Sequence, residues 1–553
     1  MLALERERET RNRKAIEILG EYLKLGGQFE NPPEVLLLGY TQVPLGETPV
    51  GSRSMAVSAG LQCYGPGVVN WKHRESEAAQ NLADDTLDAG HHSTRMHHHI
   101  SFKLIGTSRV SARDIWHFTP FYNSSMQSQR YVEVLMGNFL IPEGLSERQR
   151  ALYVEAANFA NQAYRELLAL LQPRILARIQ AVYPSTWWNR QEVKKKKITP
   201  EDKAARLSME LARYVIPVCQ RSIIDYTIDD ISLLRLFHAS LMPNFSQEAR
   251  YLIAKMIFAY AQKDPEILRE LDLPLSRQAP DYQYDSAVVA QFAEGQDEVL
   301  GGNVAQLLDI SHTSSRSPSE LLADFARVAL GATAVSLPDE QILQRLLNPI
   351  FNPYLRDTYD VGMHDPLTAS LKQINVQFLI KISYIIDQQR QRHRTISGIT
   401  PTLEALYSGK PDFIIPSVIA QESSIVDFYA ETMETIYAYV AKCLEAGIPK
   451  KQALLLLPNA QAIRLVESGD LLSWIHRFGQ RLCLTAQDEI FRINVSQAIQ
   501  ILEHIPQARP ALLALCGVNA EVKTHPVCPE DVRWCGRPMW MHDLDKYLTA
   551  RVI

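Results

Sequence analysis

Residues 474–490 read WIHRFGQRLCLTAQDEI, and they follow Pro458, which closes a run of four leucines. Pro458 precedes Arg481 by twenty-three residues, and Pro217 precedes Ser240 by the same number. A glutamate stands thirty-one residues after each of the two prolines. Because several such spacings are rarely preserved together by accident, we predict two copies of one domain, each of roughly 200–250 residues, fused head to tail.

The composition narrows the class of protein. The chain has 553 residues, 46% hydrophobic and 22% charged, with a formal net charge of −5. This is typical of a globular protein and excludes a disordered chain, a collagen-like chain and a coiled-coil rod. The chain has no net positive charge that would attract nucleic acid, so an anionic ligand has to be held by local arginines. Seven cysteines in this length do not indicate a disulfide scaffold.

The pattern along the chain predicts a cytoplasmic protein with five segments. The charged N-terminal sequence lacks the apolar core of a signal peptide, and no apolar stretch of about 18 residues indicates a membrane span. A polar, Gly- and Pro-punctuated stretch marks the boundary between the copies. The predicted segments are a charged helix at 1–30, a first copy at 31–280, a linker at 281–302, a second copy at 303–505 and a Cys/His-containing tail at 506–553.

Two pairs of residues in the first copy are candidates for anion binding. Ser128 and Arg130 are two residues apart, so in an extended segment their side chains project to the same side, which suits a phosphate. Glu210 and Arg213 stand at i and i+3, so on a helix they share one face. For the second pair, a surface ion pair worth about 0–1 kcal/mol is the alternative interpretation.

The second copy carries a basic cluster and an isolated arginine. Arg392, His393 and Arg394 follow Gln389, and alternate guanidinium groups suit a phosphate or a diphosphate because they bind oxyanions bidentately. A solvated helix end is the alternative interpretation. Arg481 lies in an otherwise apolar stretch, where it forms a structural ion pair or holds an anion or a nucleobase carbonyl.

A histidine-rich tract, GHHSTRMHHHISF, occupies residues 90–102 and contains five of the fifteen histidines. A tract of this kind can bind metal. No cysteine or carboxylate stands nearby at a recognisable zinc spacing, so we predict no metal there and expect one histidine in an active site instead.

The C-terminal tail offers a separate possibility. Three cysteines and one histidine within twenty residues can hold zinc tetrahedrally, although their spacing is not that of a standard zinc site. The alternative is a proline-rich tail that packs its tryptophans on the body of the protein. The four residues are Cys516, His525, Cys528 and Cys535.

Taken together, these motifs resemble those of the flavin-dependent thymidylate synthases, the ThyX family. That family's signature contains R-H-R-x2-S and S-x-R-Y, followed by E-x2-R-x3-P and by L-R-L-x3-A-Q-x-E-I. Here the signature is divided between the two copies. The second copy has Arg392, His393, Arg394, Ser397, Arg481 and Gln487, and the first has Ser128, Arg130, Tyr131, Glu210, Arg213 and Pro217.

The resemblance implies an architecture. Family members work as homotetramers whose sites lie between subunits, so a fused duplicate can lose half of each motif set and keep one composite site. We therefore expect an α+β fold of two tandem ThyX-like domains, each a mainly antiparallel sheet with long helices. The two domains would form a pseudo-dimer within the chain, and two chains would form a homodimer equal to a pseudo-tetramer.

The resemblance also implies an activity and the roles of residues. The activity is the flavin-dependent methylation of dUMP to dTMP with FAD as cofactor and methylenetetrahydrofolate and NADPH as co-substrates. Its catalytic residues would be Ser128, Arg481 and His97. Gln389, Ser128, Arg130, Glu210, Arg213 and Arg481 would bind the nucleotide, and Arg392, His393, Arg394 and His97 would bind the cofactor.

The alternative is a non-catalytic or altered nucleotide-binding protein on the same fold. It is motivated by departures from the family pattern. About ten residues before Arg481, the family has an asparagine and an arginine that help to hold the flavin, and this chain has Asp470 and Leu472.

Overall fold

The computed structural model describes most of the chain. The described residues are 2–42, 51–68, 76–116, 122–183, 192–193, 196–273, 284–331, 336–357, 359, 361–398, 401–530 and 534–551. Within them, no helix is long and apolar enough to cross a membrane.

The first copy contains a four-stranded antiparallel sheet in the order β1-β2-β6-β3. Alternate residues of the second strand, Ile100, Phe102 and Leu104, are buried, as the two-residue period of a strand requires when one face covers a core. The strands are β1 (Glu34–Tyr40), β2 (His99–Thr107), β3 (Tyr122–Met126), the short hairpin β4 (Glu192–Val193) and β5 (Lys196–Lys197), and β6 (Ser222–Asp229).

The second copy repeats this sheet. Its strands are β7 (Ala305–Ile310), β8 (Asn375–Ser383), β9 (Ser397–Gly398) and β10 (Ala462–Asp470), in the order β7-β8-β10-β9. The edge strand of each sheet has a register shift at the same place, after Leu37 in β1 and after Leu307 in β7. The predicted tandem α+β architecture is therefore confirmed.

Helices surround both sheets. In the first copy they are Leu2–Lys24, Ser52–Tyr64, Glu77–Asp88, Arg109–Trp116, Glu147–Val182, Pro200–Ala212, Asp230–Ser240 and Gln247–Ala261. Later in the chain they are Ser286–Leu300, Pro318–Leu330, Asp339–Leu347, Pro366–Ala369, Tyr384–Arg390, Leu403–Leu406, Ser417–Ala420, Ser423–Glu445, Lys450–Ala453, Leu471–Arg481, Asp488–His504, Leu515–Glu521 and Tyr547–Ala550. Short 3₁₀ helices lie at Leu25–Gln28, His92–Arg95, Arg213–Val215, Pro265–Glu270, Pro353–Arg356, Val361–His364, Ser370–Gln373, Leu454–Leu456, Pro506–Ala508, Met539–Met541 and Leu544–Lys546. Much of the expected linker at 281–302 is thus helical.

The helix that follows β6 and the one that follows β10 confirm the register of the repeat. Asp229 and Asp470 each cap the helix by accepting a hydrogen bond from the backbone N–H three residues on, at 2.8 Å in both copies. The two helices end at Ser240 and Arg481, the residues that the sequence spacing pairs.

The glutamates of the repeat are also equivalent. Glu248 accepts hydrogen bonds from the backbone N–H and the hydroxyl of Ser108, and Glu489 does the same with Ser383. In each copy this contact ties the second helix after β6 or β10 to the residue that precedes the helix following β2 or β8.

The first copy has one residue more than the second at β2. Gly106 has φ +79° and lies in a bulge between Ile105 and Thr107, whereas β8 pairs with β10 without a shift. Counted from the helix starts, Trp116 therefore corresponds to Gln391 rather than to the residue after it. Counted instead from Phe102 and Phe378, which each stand fourteen residues earlier, residues 116–118 would face the R-H-R motif at 392–394. His117 and Phe118 lie outside the described residues.

The two copies meet about a pseudo-two-fold axis near Pro217 and Pro458, which form an antiparallel bridge. The backbone N–H of Val218 donates to Leu457 O at 2.9 Å, and that of Asn459 donates to Ile216 O at 2.8 Å. Equivalent segments of the two copies thus pair with each other, as in a symmetric dimer.

The copies also share a core. The long helix Glu147–Val182 packs on Ser423–Glu445 of the second copy. Leu167 and Leu171 from the first helix and Val440 from the second belong to one continuous buried cluster that extends through the second copy. A shared core of this kind makes the chain one pseudo-dimeric body rather than two independent domains.

Candidate active site

A cavity of about 1050 Å³ lies where the two copies and the C-terminal tail meet. Arg130 and Glu210 reach it from the first copy, and Arg481 reaches it from the second. Three of the residues predicted for one composite site therefore line one space.

Arg130 and Glu210 form an ion pair inside this cavity. Arg130 Nε donates to Glu210 Oε2 at 2.5 Å, and Arg130 Nη2 donates to Thr485 O of the second copy at 3.0 Å. Burial acts to lower the pKa of Arg130, but the Glu210 carboxylate outweighs it and leaves that pKa raised. Glu210 thus pairs with Arg130 rather than with Arg213, the partner in the alternative interpretation.

Ser128 positions the backbone of this arginine. Its hydroxyl accepts a hydrogen bond from Arg130 N at 3.2 Å, and its carbonyl accepts from Tyr131 N at 3.2 Å. The hydroxyl thus forms a local turn of the kind that serine favours. The ring of Tyr131 in turn lies 4.4 Å from the guanidinium carbon of Arg206.

Arg213 is buried, and its side chain reaches the second copy. Its Nη2 donates to Gln487 Oε1, which also accepts from Gln389 Nε2 at 2.5 Å. Burial and the repulsion of Arg130 lower the pKa of Arg213 to about 10. The charge of this guanidinium has no carboxylate partner within 4.0 Å among the described residues, which is a costly arrangement unless a ligand supplies the anion.

Arg481 is held by the R-H-R motif. Its Nε donates to His393 Nε2 at 2.9 Å, and its Nη2 donates to Gln389 O at 3.1 Å. Burial and the nearby Arg477 and Arg130 lower the pKa of Arg481 to about 9. Burial and the Arg481 charge lower the pKa of His393 well below its ordinary value, so its neutral ring accepts this hydrogen bond.

A further arginine, Arg109, was not predicted. It is 3% exposed and its Nη1 donates to Gln388 Oε1 of the second copy. Burial and the charge of Arg213 lower the pKa of Arg109 to about 9. No motif in a single sequence distinguishes this arginine, because its position depends on the packing of the second copy.

Several buried donors in this region have no hydrogen-bond partner among the described residues. A buried N–H group without a partner costs about 1–3 kcal/mol. Together with the cationic charge, they suit an oxyanion of a bound ligand. The atoms are Arg109 Nε, Arg109 Nη2, Arg213 Nε and Arg394 Nε.

The other two residues of the predicted cofactor cluster differ in exposure. Arg394 reaches the first copy, where its Nη1 donates to Tyr122 O and its guanidinium carbon lies 4.1 Å from the centre of the Tyr122 ring. Arg392 is exposed. A diphosphate suits this donor set, since Arg394 Nε has no partner among the described residues and Arg392 is accessible.

His97 is not brought to the cavity within one chain. It is exposed, stands two residues before β2, and is absent from the cavity wall. His98 is the buried histidine of the tract, and its Nε2 lies 3.0 Å from the hydroxyl of Tyr260.

The C-terminal tail forms one wall of the cavity. Arg551 Nε pairs with Asp488 Oδ1 at 2.9 Å, and Arg551 Nη2 donates to Ala486 O at 3.0 Å, which fixes the tail against the second copy. The tail residues on the wall include Cys516, Cys528, Trp534, Cys535 and Arg537.

The cysteines of the tail lie on this wall beside Cys483, whereas His525 is exposed and is not part of the wall. Burial raises the pKa of Cys516 to about 12. Over the ranges that the structure describes, no group of three or more His, Cys, Asp or Glu side chains is arranged to hold a metal ion. The zinc alternative therefore gains no support.

Comparisons with known proteins agree with this architecture. Residues 45–266 and 311–510 match the model of one family, described as "Thymidylate synthase complementing protein". The same family thus matches twice, once in each copy, over more than half of the chain.

The chain is also similar to several flavin-dependent thymidylate synthases. A flavin-dependent thymidylate synthase of Clostridium tetani is 26% identical over 242 residues, which are 43% of this chain and 85% of that enzyme. Flavin-dependent thymidylate synthases of Mycolicibacterium vanbaalenii and Corynebacterium glutamicum are each 28% identical, over 27% and 29% of this chain and 56% and 67% of their own lengths.

A solved structure that matches part of this chain is that of the UMP/dUMP methylase PolB from Streptomyces cacaoi, bound with 5-Br dUMP. It is 16% identical with a TM-score of 0.29, and the match covers 44% of this chain and 94% of that one.

Proposed function

Because this chain belongs to the thymidylate synthase complementing protein (ThyX) family, as a tandem duplication, we propose that it methylates the pyrimidine ring of dUMP to give dTMP. The proposed site is composite and is drawn from both copies. The observation that carries the proposal is a pair of arginines between the copies, the buried Arg213 and the partly buried Arg481. Neither guanidinium has a carboxylate partner within 4.0 Å among the described residues.

The first copy supplies the phosphate-binding part of the proposed site. Within the part of the chain that the structure describes, Arg213 Nε has no hydrogen-bond partner and its charge has no carboxylate partner. Arg130 is already paired with Glu210, so it offers its remaining donors, and Ser128 fixes its backbone. A phosphate at Arg213 would relieve the repulsion between the two guanidinium groups, because it supplies the negative charge that the site lacks.

The second copy supplies the part that faces the base. Arg481 is held in place by His393 and by the Gln389 carbonyl, so its guanidinium is preorganised. A fixed cation beside a pyrimidine carbonyl stabilises negative charge that develops on the ring. Gln389 would orient the nucleotide, since its Oε1 is buried and has no partner among the described residues.

The cofactor of the proposed reaction is FAD, which carries the hydride, with methylenetetrahydrofolate and NADPH as co-substrates. Arg392 and Arg394 are the residues that would hold its diphosphate, beside His393. His97 lies outside the cavity of its own chain. We assign it to the composite site of a second chain, so the proposed working unit is a homodimer that forms a pseudo-tetramer.

A second candidate function, nucleotide binding without turnover, is favoured by one observation. Asp470 and Leu472 occupy the positions where the family has an asparagine and an arginine that help to hold the flavin. Here Asp470 caps the helix Leu471–Arg481, and Leu472 packs against the core. Both positions serve the fold, so flavin binding depends on the remaining residues.

Absorption spectroscopy on the full-length protein separates the two candidates. The protein is mixed with FAD, freed of unbound flavin by gel filtration, and titrated with dUMP. A retained flavin band that dUMP perturbs, followed by dTMP formation with methylenetetrahydrofolate and NADPH, supports the enzyme. Binding of dUMP without flavin or turnover supports the second candidate. Failure of dUMP to bind contradicts both.

A further inference from the structure

A second described cavity, of about 270 Å³, lies at the pseudo-symmetric position of the composite site. The repeat relates Lys451 to Glu210 and Leu454 to Arg213. Lys451 and Glu210 each stand two residues before the end of a helix, and Leu454 and Arg213 each begin the 3₁₀ helix that follows. Lys451 and Leu454 both line this cavity. The cavity is therefore the counterpart of the composite site. It is lined by the positions at which the copies no longer carry the motif residues.

The charges of this cavity oppose a phosphate. Leu454 stands in place of the phosphate-facing arginine, and Asp114 and Glu404 bring carboxyl groups to the wall. Each cation of the wall already has a carboxylate partner, since Arg113 pairs with Asp387 at 2.8 Å and Lys451 with Glu404 at 3.7 Å. A phosphate would meet carboxyl groups and no unmatched guanidinium, so a monophosphate is disfavoured here.

The cavity nevertheless presents polar groups that a ligand can satisfy. Arg113 Nη2, Asn244 Oδ1 and Gln452 Oε1 are buried and have no hydrogen-bond partner among the described residues. Arg113 itself is 4% exposed and is fixed by Asp387 and by Pro401 O at 2.7 Å. One fixed donor and two acceptors match a ligand that carries a carbonyl beside N–H or O–H groups.

The rest of the wall is apolar. Phe29, Leu140, Leu403 and Leu455 line the cavity and are buried, and Tyr384 lies 4.7 Å from the guanidinium carbon of Arg113. Its volume is slightly below the roughly 300–1,000 Å³ of sites for drug-sized ligands. An apolar wall with a few convergent polar groups and this volume suits a small flat heterocycle with a hydroxylated substituent.

We propose that this cavity binds an uncharged pyrimidine nucleoside, without a phosphate, at the same time as the composite site holds its nucleotide. The imide edge of the base would meet Arg113, and its N–H and hydroxyl groups would meet Gln452 and Asn244. The choice of a pyrimidine rests on the proposed function of the equivalent site, whereas the exclusion of phosphate rests on this cavity alone.

The test is isothermal titration calorimetry of the full-length protein with deoxyuridine and with dUMP. With dUMP present at saturation, one deoxyuridine is expected to bind per chain. In Arg213→Leu, dUMP affinity falls at least 30-fold and deoxyuridine still binds with its affinity unchanged. In Gln452→Leu and in Asn244→Leu, deoxyuridine binding weakens at least tenfold and dUMP binding is unchanged. Gln344→Leu, at an exposed glutamine outside the cavity, is the matched control.

Three results overturn the proposal. They are no deoxyuridine binding at millimolar concentration, competition between deoxyuridine and dUMP for one site, and binding of a second dUMP per chain in this cavity that Gln452→Leu removes. If dUMP fails to bind while deoxyuridine binds and responds to Gln452→Leu, the proposed function fails and this site stands as a nucleoside site.

Discussion

Arg213 Nη2 of the first copy donates a hydrogen bond to Gln487 Oε1 of the second copy, 274 residues further along the chain. Gln487 is 1% exposed, and its Nε2 donates to the Tyr214 hydroxyl at 2.8 Å. Its Oε1 also accepts from Gln389. The side chain of Gln487 therefore joins two substrate-binding candidates that come from different copies, and neither copy alone contains this arrangement.

The first prediction concerns Arg213→Leu, which gives this position the residue of its counterpart, Leu454. We expect dUMP affinity to fall at least 30-fold, because a charge-assisted contact to a phosphate is lost. The midpoint of thermal unfolding should stay equal or rise, since the folded protein holds this guanidinium in a buried site that lowers its pKa to about 10. Calorimetry and a thermal melt measure the two effects.

Arg148→Leu, at an exposed arginine outside the cavity, is the control for the loss of one positive charge. It should leave dUMP affinity unchanged. A large fall in the unfolding midpoint of Arg213→Leu would show that the arginine stabilises the fold, and it would contradict the assignment to ligand binding.

The second prediction concerns the Arg130–Glu210 ion pair. Removing one partner leaves a largely buried polar group unpaired, so Glu210→Gln and Arg130→Met should each lower the free energy of unfolding by about 1–3 kcal/mol. The double variant should recover part of this loss, and urea unfolding of all four proteins gives the coupling energy. Additive losses would mean that the 2.5 Å contact does not contribute to stability.

The sequence predicted the repeat because its spacings record backbone geometry. The aspartates Asp229 and Asp470 cap equivalent helices, and Pro217 and Pro458 meet at the pseudo-two-fold axis, so insertions between these points would break both contacts. The spacing misaligned the two copies by one residue after Gly106, because a bulge adds a residue to β2 there. The pattern of apolar residues does not reveal such a bulge.

The site was predicted only where a motif marks it. Arg130, Arg213 and Arg481 stand in motifs, but Arg109 does not, and its burial results from the second copy closing over it. The sequence left the tail open between a zinc site and a segment packed on the body, and it gave no sign that Arg551 ties the tail to the helix beside the cavity. Contacts of this kind join residues distant in sequence and leave no periodic signal.

The third prediction concerns separation of the copies. Residues 1–280 and 281–553, produced together as two polypeptides, should associate and bind dUMP, because the backbone pairing at Pro217 and Pro458 and the shared core remain. Each half alone should fail to bind dUMP, since Arg213 and Arg481 come from different halves. Co-purification through a tag on one half, followed by calorimetry, measures both outcomes.

The intact chain is the control for this experiment. Nucleotide binding by either half alone, at an affinity near that of the intact chain, would contradict a composite site. Failure of two soluble halves to associate would contradict the inference of a shared core.

The fourth prediction concerns pH and Glu248. Burial raises the pKa of Glu248 to about 7 in the folded protein, above its ordinary value of about 4.3 in an unfolded chain. Between these two values the folded state holds a proton that the unfolded state has lost, so this group lowers the free energy of unfolding as the pH rises from about 4.5 to 7.

Glu248→Gln keeps an acceptor for Ser108 and removes the titration, so its urea midpoint should fall less than that of the unmodified protein as the pH rises from 5 to 7.5. The difference between the two proteins is bounded by about 3 kcal/mol, since one pKa unit corresponds to about 1.4 kcal/mol. Glu320→Gln, at an exposed position where the ordinary pKa is lowered instead, is the control and should not flatten the profile. Identical pH profiles for Glu248→Gln and the unmodified protein would mean that Glu248 is ionised in the folded state, and that the hydrogen bonds from Ser108 outweigh the cost of its burial.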